Sequence, residues 1–364
     1  MSKPDRHQPQ IGRGAASNPA GRFEALATEA LDDGWGGLDE PLPPLHTIVK
    51  PEFAKGIISR NKSPDVGFSQ SINPYQGCEH GCIYCYARPS HAYLNLSPGL
   101  DFETQLFYKK DAARLLEETL QAPGYRCEVI ALGANTDPYQ PIERQYRVTR
   151  DILEVLAKYR HPVAIITKSN LIERDIELLS SMAAQGLVVV NVSVTTLNNQ
   201  LKRTLEPRTA SPAARLRTIK KLADAGIPVG VLVAPVIPVL TDHELESILQ
   251  AAAAAGATRA GYVLLRLPHE LKQLFEEWLT THEPLKAQHV LSRLRAMRGG
   301  KENDPRFGHR MTGEGVYAQL LKKRFAAALR KFELNEHRHE LQTGLFQRPS
   351  MTEGPTQGQL NLPF

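Results

Sequence analysis

From residue 127 onward the chain repeats one pattern: a short apolar run, a polar turn, then an amphipathic helical stretch. The runs are CEVIALG (127–133), PVAIITKS (162–169), LVVVNVSVTT (187–196), PVGVLVAPVIP (228–238) and AGYVLLRLP (260–268). Between them lie DILEVLAKYR, RDIELLSSMAAQG, ARLRTIKKLADAG and HELESILQAAAAAG. Unbroken Val/Ile/Leu runs of this length predict strands buried on both faces, hence parallel pairing. Helices that end in Gly, as LADAG and AAAAAG do, carry a ready C-cap. FSQSIN (68–73) supplies an earlier strand and DAARLLEETLQ (111–121) an amphipathic connection, so the pattern predicts six βα units. Such a chain folds as α/β, either as a doubly wound sheet or as a barrel short of two units. No G-x-G-x-x-G follows the first strand, which argues against the dinucleotide-binding version.

Parallel α/β folds place their sites at the C-terminal ends of the strands. Polar residues gather there: Asn135-Thr136-Asp137, Lys168-Ser169-Asn170, and Ser193 with Thr195. Just after the first strand comes GCEHGCIYCYARP (77–89), with three of the four cysteines, Cys78, Cys82 and Cys85, spaced C-x-x-x-C-x-x-C. The N-terminal stretch lacks an apolar signal core, and no run of about 18 apolar residues exists, so a cytoplasmic protein without a membrane span is expected. In a reducing compartment the cysteines read as ligands rather than disulfide partners. Thiolates select zinc, iron–sulfur or soft copper, and so short a loop wraps a single centre. In a 4Fe–4S cubane, three cysteines leave one iron without a protein ligand, and an open position marks a catalytic centre rather than a structural one. The competing reading is a zinc knuckle with His80 or His91 as fourth ligand. Cys127 reads as a core cysteine.

The C-x-x-x-C-x-x-C loop after the first strand of six βα units resembles the radical S-adenosylmethionine (SAM) enzymes, over roughly residues 67–268. The resemblance implies a partial (β/α)6 barrel, a 4Fe–4S cluster on Cys78, Cys82 and Cys85, and SAM chelated to the open iron. It implies one-electron cleavage of SAM to a 5′-deoxyadenosyl radical, with Tyr84 near the adenine. YCYAR (84–88), TDPYQPIE (136–143), ITKSN (166–170) and LEPRT (205–209) resemble the branch that holds spore photoproduct lyase and the DNA repair photolyase-like proteins, in an uncharacterised subgroup. By that likeness Thr136 and Asp137 lie beside SAM, Lys168 meets its carboxylate, and Ser193 and Thr195 face its ribose. Each has an ordinary alternative: Asp137 as a turn cap before Pro138, Lys168 as a solvated surface lysine. Arg208 touches the cofactor or, equally, pairs with Glu206. Tyr86 matches the catalytic tyrosine of the lyase's radical relay, whereas Ala134 stands where the lyase has a hydrogen-donating cysteine. Cys127 lies seven residues earlier, about 20 Å along an extended strand, and is a poor substitute.

The flanks divide into an N-terminal extension (1–66), with EALATEALDD as a possible helix, a basic helical region (269–338) and a flexible tail (339–364). Residues 286–338 hold thirteen Lys/Arg against five Asp/Glu, while the whole chain carries 44 Lys/Arg against 39 Asp/Glu, a net charge of +5. Arg293, Arg295, Arg298, Lys301, Arg306 and Arg310 sit among Gly and Pro, as in a loop that follows phosphates; a solvated helical face is the plainer reading. IGRGAASNPAGRFE (11–24) is a weaker addition to such a groove. The tail ends in QLNLPF, which resembles the peptide that docks bacterial repair proteins on the β sliding clamp, through Gln359, Leu360, Leu362 and Phe364. QTGLF (342–346) is a poorer match. Together these features imply a radical SAM enzyme acting on nucleic acid, DNA favoured, with an electron donor such as flavodoxin or ferredoxin. The alternatives are modification of RNA or protein, and a non-catalytic iron–sulfur protein that binds DNA.

Overall fold

In a computed structural model, which describes residues 11–24, 45–336 and 340–349, the six expected strands pair in one sheet. The strands are β1 (Ile48–Glu52), β2 (Ile58–Arg60), β3 (Gln70–Ile72), β4 (Tyr75–Gln76), β5 (Gln105–Lys109), β6 (Ile130–Leu132), β7 (Val163–Thr167), β8 (Val188–Ser193), β9 (Val229–Val236) and β10 (Arg259–Leu264). The large sheet runs β10-β9-β8-β7-β6-β3-β2. Every neighbouring pair from β3 to β10 is parallel, and β2 closes the edge antiparallel to β3. A small sheet, β1-β5-β4, joins β4 and β5, from the long connection between β3 and β6, to β1, which precedes β3 in the chain.

The helices are α1 (Asp101–Thr104), α2 (Ala112–Gln121), α3 (Glu143–Tyr146), α4 (Val148–Lys158), α5 (Ile176–Ala183), α6 (Asn199–Leu205), α7 (Pro212–Asp224), α8 (Leu245–Ala254), α9 (Leu271–His282), α10 (Ala287–Ala296) and α11 (Gly315–Lys331). Their starts follow local chemistry. Ser211 accepts from the Ala214 N–H with Pro212 next to it, and Asn198 accepts from the Gln200 and Leu201 N–H groups, each satisfying donors that a helix start leaves orphaned.

Strand alternation separates two faces. Ile130, Leu132, Val163, Ile165, Val188, Val190, Val192, Val229, Val231 and Val233 join one buried cluster with helix residues such as Leu116, Leu156, Leu179, Leu222 and Ile248. The opposite face carries Ala131, Ala164, Ile166, Val189, Asn191, Gly230, Leu232, Ala234 and Gly261. Closed barrels fill that face with bulky branched side chains. Here several positions are small, and Asn191, Leu232, Ala234 and Gly261 are only half-buried, which leaves room inside. A Cβ on Gly230 would come within 2.7 Å of the Asn191 Oδ1.

The flanks pack more closely than their composition suggests. Residues 269–336 hold α9, α10 and α11, with an irregular loop over 297–314 between the last two. Residues 340–349, expected to be flexible, instead form a strap across the N-terminal ends of the strands. Phe346 meets Tyr125 and His161 with ring centroids at 5.6 Å and lies stacked on Tyr159 at 6.4 Å. Arg348 donates to the carbonyls of Leu120 and Ala122, at the C-terminal end of α2, at 3.0 and 2.9 Å. QTGLF is therefore engaged by the chain's own aromatic groups. The EALATEALDD helix, apart from Glu24, and the Gln359–Phe364 peptide lie outside the described residues. Among the described residues no helix is long and apolar enough to cross a membrane. Phe346→Ala should cost about 2 kcal/mol, less than for a fully buried ring, seen as a lower urea midpoint with an unchanged m value. An unchanged midpoint would show that the strap contributes nothing.

Candidate active site

The cysteine loop leaves β4 and is held from three sides. Gly77 and Gly81 have φ of +73° and +67°, a region L side chains rarely adopt. A Cβ at Gly77 would lie 2.6 Å from Leu106, and one at Gly81 2.6 Å from Glu103. From the end of β6, the Thr136 hydroxyl donates to the Gly77 carbonyl at 2.8 Å, and the Gln140 amide oxygen accepts from the Glu79 N–H at 2.8 Å. From the end of α6, the Leu205 carbonyl accepts from Ile83 N–H, and the Arg208 N–H donates to the His80 carbonyl.

The third support is the fully buried Arg88. Its guanidinium donates to the carbonyls of Cys82, Gly81, Pro98 and Gly99 and pairs with the buried Glu103. Glu103 in turn accepts from Gly14 and Ala15 N–H at 3.0 and 2.9 Å. This fastens residues 11–24 directly over the loop, and a Cβ on Gly14 would fall 1.9 Å from the Gly81 carbonyl oxygen. Arg13 is buried and donates to the Glu103 carbonyl, and Arg22 pairs with Glu270 at 3.1 Å. Both are engaged by the fold, so this segment is a cover for the loop rather than part of a basic groove.

Cys78, Cys82 and Cys85 are free of disulfides. Burial pushes all three thiols up; Asp137 adds to this at Cys78 and Glu206 at Cys82. Lys168 works the other way on Cys82 and Cys85, and Arg88 on Cys85. Buried thiols with cations beside them are a soft donor set that a metal would hold as thiolates. Among the described residues no three His, Cys, Asp or Glu donors converge as one metal ion needs. A multi-iron cluster spreads its ligands more widely, so the three cysteines fit it better. The zinc-knuckle reading also loses its fourth ligands. The His80 Nδ1 lies 3.3 Å from Asp137, and the His91 Nε2 faces the Gln105 carbonyl at 2.9 Å.

The residues expected around the cofactor divide into two groups. Asp137 accepts from Tyr139 N–H, Thr167 hydroxyl, Lys168 N–H and His80. Those four partners fill a carboxylate's acceptor positions, making it a fastener between the cysteine loop and β7. Burial alone would raise its carboxyl, but His80, the Lys168 N–H and the Thr167 hydroxyl together outweigh this and hold it below its usual value. Thr195 is wholly buried and donates to Glu206 at 2.7 Å. Tyr84 is buried with its hydroxyl on Glu206 and 3.1 Å from the Thr195 hydroxyl. The Lys168 Nζ, partly exposed, lies 5.7 Å from the Tyr84 ring centroid, 3.9 Å from Glu206 and 3.2 Å from the Ala234 carbonyl. The Ser193 hydroxyl makes no hydrogen bond among the described residues. Ser193, and Lys168 through the donor capacity its Ala234 contact leaves over, are the polar groups available to meet a ligand.

Glu206 and Arg208 do not pair with each other. Arg208 bonds Glu79 at 2.6 Å and the Gly12 carbonyl at 3.0 Å. Glu206 pairs with Arg215 of α7, which also donates to the Ser193 carbonyl at 2.9 Å. Arg215 escaped the sequence reading although its place was visible. It falls on the apolar stripe of α7, with Ile219 and Leu222 at helical spacing.

Tyr86 is 46% exposed, and its hydroxyl donates to the carbonyl of Ala134 at the end of β6. The hydroxyl of Tyr86 and the residue at position 134 are thus adjacent. Cys127 is half-buried before β6 begins, at the far end of that strand. Tyr86 also carries the guanidinium of Arg266 at 4.5 Å from its ring centroid, a residue the sequence reading did not single out.

The basic loop is mostly satisfied internally. Arg298 is buried on carbonyls of Leu264, Leu265 and Arg310. Arg295 pairs with Glu302, Arg306 with Asp304 and Glu314, and Arg310 with Asp65. Of the six expected to follow phosphates, Arg293, Arg298 and Lys301 lack a carboxylate partner among the described residues, and Arg298 is buried.

A sequence profile described as the Radical SAM superfamily matches residues 72–252. An uncharacterized protein of Mycobacterium tuberculosis is 38% identical over 285 residues, covering 76% of this chain and 80% of that one. An uncharacterized protein of Methanocaldococcus jannaschii is 30% identical over 191 residues, covering 52% and 68%. Among solved structures, spore photoproduct lyase complexed with dinucleoside spore photoproduct aligns at a TM-score of 0.56 and 16% identity, over 78% of this chain and 79% of that one. The last is a likeness of fold.

Burial alone would raise the Glu206 carboxyl, but the Arg215 and Lys168 charges and the Arg215 and Tyr84 hydrogen bonds outweigh it and hold it down to about 2. A folded pKa below the unfolded one stabilises the protein above about pH 4.5, and this is lost as pH falls toward about 2, on the order of 3 kcal/mol. Glu206→Gln should flatten that part of the stability–pH curve of the metal-free protein. Glu206→Ala, which strands Arg215, should cost about 3–5 kcal/mol at pH 7. Equal acid sensitivity in Glu206→Gln would contradict the assignment.

Proposed function

The chain belongs to the radical SAM superfamily, and on that premise we propose that it modifies nucleic acid, DNA favoured, in a repair-like hydrogen abstraction. The superfamily's 4Fe–4S cluster and SAM fit the three-cysteine loop, which Cys78, Cys82 and Cys85 would bind with one position left open. When bound, that pair of cofactors supplies one-electron cleavage of SAM and a hydrogen-abstracting radical. Lys168 presents an ammonium suited to a carboxylate, and Ser193 a free hydroxyl. Tyr84, Thr136, Asp137, Thr195 and Arg208 act by holding the loop and strand ends in place. Residues 11–24 keep water from the outer side of the loop.

The observation that carries the reading is Tyr86. It follows the last cluster cysteine, is half-exposed, and points its hydroxyl at the Ala134 carbonyl. A half-exposed aromatic ring beside a guanidinium suits a nucleobase. The fold shared with a lyase solved with a dinucleoside lesion supports the same class of substrate. With alanine at position 134, return of hydrogen by a cysteine there is ruled out, and Tyr86 is the nearest O–H of the relay.

The tail peptide Gln359, Leu360, Leu362 and Phe364 suits tethering to a sliding clamp. A clamp pull-down that survives deletion of 359–364 would reject that. An electron donor such as flavodoxin or ferredoxin completes the partners.

Anaerobically reconstituted, dithionite-reduced protein should release 5′-deoxyadenosine faster with ultraviolet-irradiated DNA than with intact DNA or none, and Cys85→Ala should abolish release. Equal slow release in all three arms would reject the DNA reading. Tyr86→Phe should keep 5′-deoxyadenosine release within about twofold while product falls about tenfold. Unchanged product would remove Tyr86 from the reaction.

A further inference from the structure

Arg266 follows the end of β10, two residues past Leu264. Its guanidinium lies over Tyr86, and among the described residues no acceptor takes its hydrogens. With the ring contact made by the guanidinium carbon and no acceptor engaged, its N–H groups are free to bind an anion in fork geometry.

The surroundings leave this cation uncompensated. Arg298 and Arg310 both flank it and repel it. Arg298 is buried on backbone carbonyls alone and clamps the end of β10 that carries Arg266, through Leu264 and Leu265. Of the nearby carboxylates, Asp65 is taken by Arg310 and the Gly308 N–H, and Asp304 by Arg306. Burial pulls the Arg266 guanidinium below its ordinary pKa, with the Tyr86 ring and Asp65 opposing. A half-buried cation held rigidly without a counter-ion is costly unless an anion arrives.

We infer that Arg266 is the substrate's anion-receiving group, taking the phosphodiester next to the nucleotide that meets Tyr86. The class of substrate rests on the nucleic-acid reading above; the anion site rests on the unpaired guanidinium. A base against the exposed part of Tyr86 and a phosphate on Arg266 are the two halves of one nucleotide, within reach of the last cluster cysteine. Arg266 would thus set which linkage enters the site, while the pairing of Arg295, Arg306 and Arg310 keeps them from competing for it.

The test needs no cofactor. Binding of thymidylyl-3′,5′-thymidine and of its uncharged methylphosphonate analogue is measured by ligand-observed NMR on the full chain. Wild type should prefer the charged dinucleotide about tenfold, and Arg266→Gln should lose the preference while keeping the analogue's affinity and the thermal midpoint. Arg266→Lys, which keeps the charge without the fork, should retain part of it. Preference unchanged in Arg266→Gln, or absent from wild type, overturns the inference and leaves the nucleic-acid reading standing. If wild type binds neither dinucleotide, that reading fails instead, and inorganic phosphate decides the anion site. A midpoint raised by phosphate in wild type but not in Arg266→Gln supports it, and no difference overturns it.

Discussion

One buried carboxylate joins the parts of the candidate site. Glu206 receives the hydroxyls of Tyr84 from the cysteine loop and Thr195 from the end of β8, pairs with Arg215 of α7, and lies 3.9 Å from Lys168 after β7. A buried carboxylate is tolerable only when it is paired and hydrogen-bonded. Each partner is therefore fixed in position by the same requirement. The loop that would carry the cluster and the strand ends that would carry SAM are held to a common point, and a shift in one disturbs the others.

A second buried pair, Arg88 with Glu103, does the same on the loop's other side. Arg88 spends its donors on loop carbonyls, and Glu103 spends its oxygens on Arg88 and on the Gly14 and Ala15 N–H groups. The N-terminal segment thereby becomes part of the site's wall. Both carboxylates are wholly buried, so neither network is itself open to a ligand. Access for a substrate is thus from the strand ends, where Tyr86, Lys168, Ser193 and Arg266 remain.

Much of this was legible in the residues. The apolar runs with glycine-capped helices between them marked the six strands and their parallel pairing, because local periodicity and burial carry that information; their order in the sheet was not legible. The three-cysteine spacing marked the loop, and polar strand ends marked the mouth. What escaped depends on contacts far apart in sequence. β5 is a short run whose partner, β1, lies over fifty residues earlier. Asp137, read as a neighbour of SAM, spends its oxygens on His80 and the start of the loop after β7. The basic loop showed its charge, but its carboxylate partners Asp65, Glu302, Asp304 and Glu314 appear only once the chain is folded. Phe346 sits in a stretch of linker composition, and no local pattern tells a free aromatic residue from one that fills a hole between Tyr125 and Tyr159.

The site's chemistry would turn on a cluster held by three cysteines with one iron left open for SAM, beside the Glu206 network. The most direct measurement is electron paramagnetic resonance of the reconstituted, dithionite-reduced protein with and without SAM. A three-cysteine cluster with an open iron predicts a reduced 4Fe–4S signal whose g-values change when SAM is added. A full complement of iron and sulfide with a spectrum indifferent to SAM would contradict it, and would leave the loop as a structural iron–sulfur site.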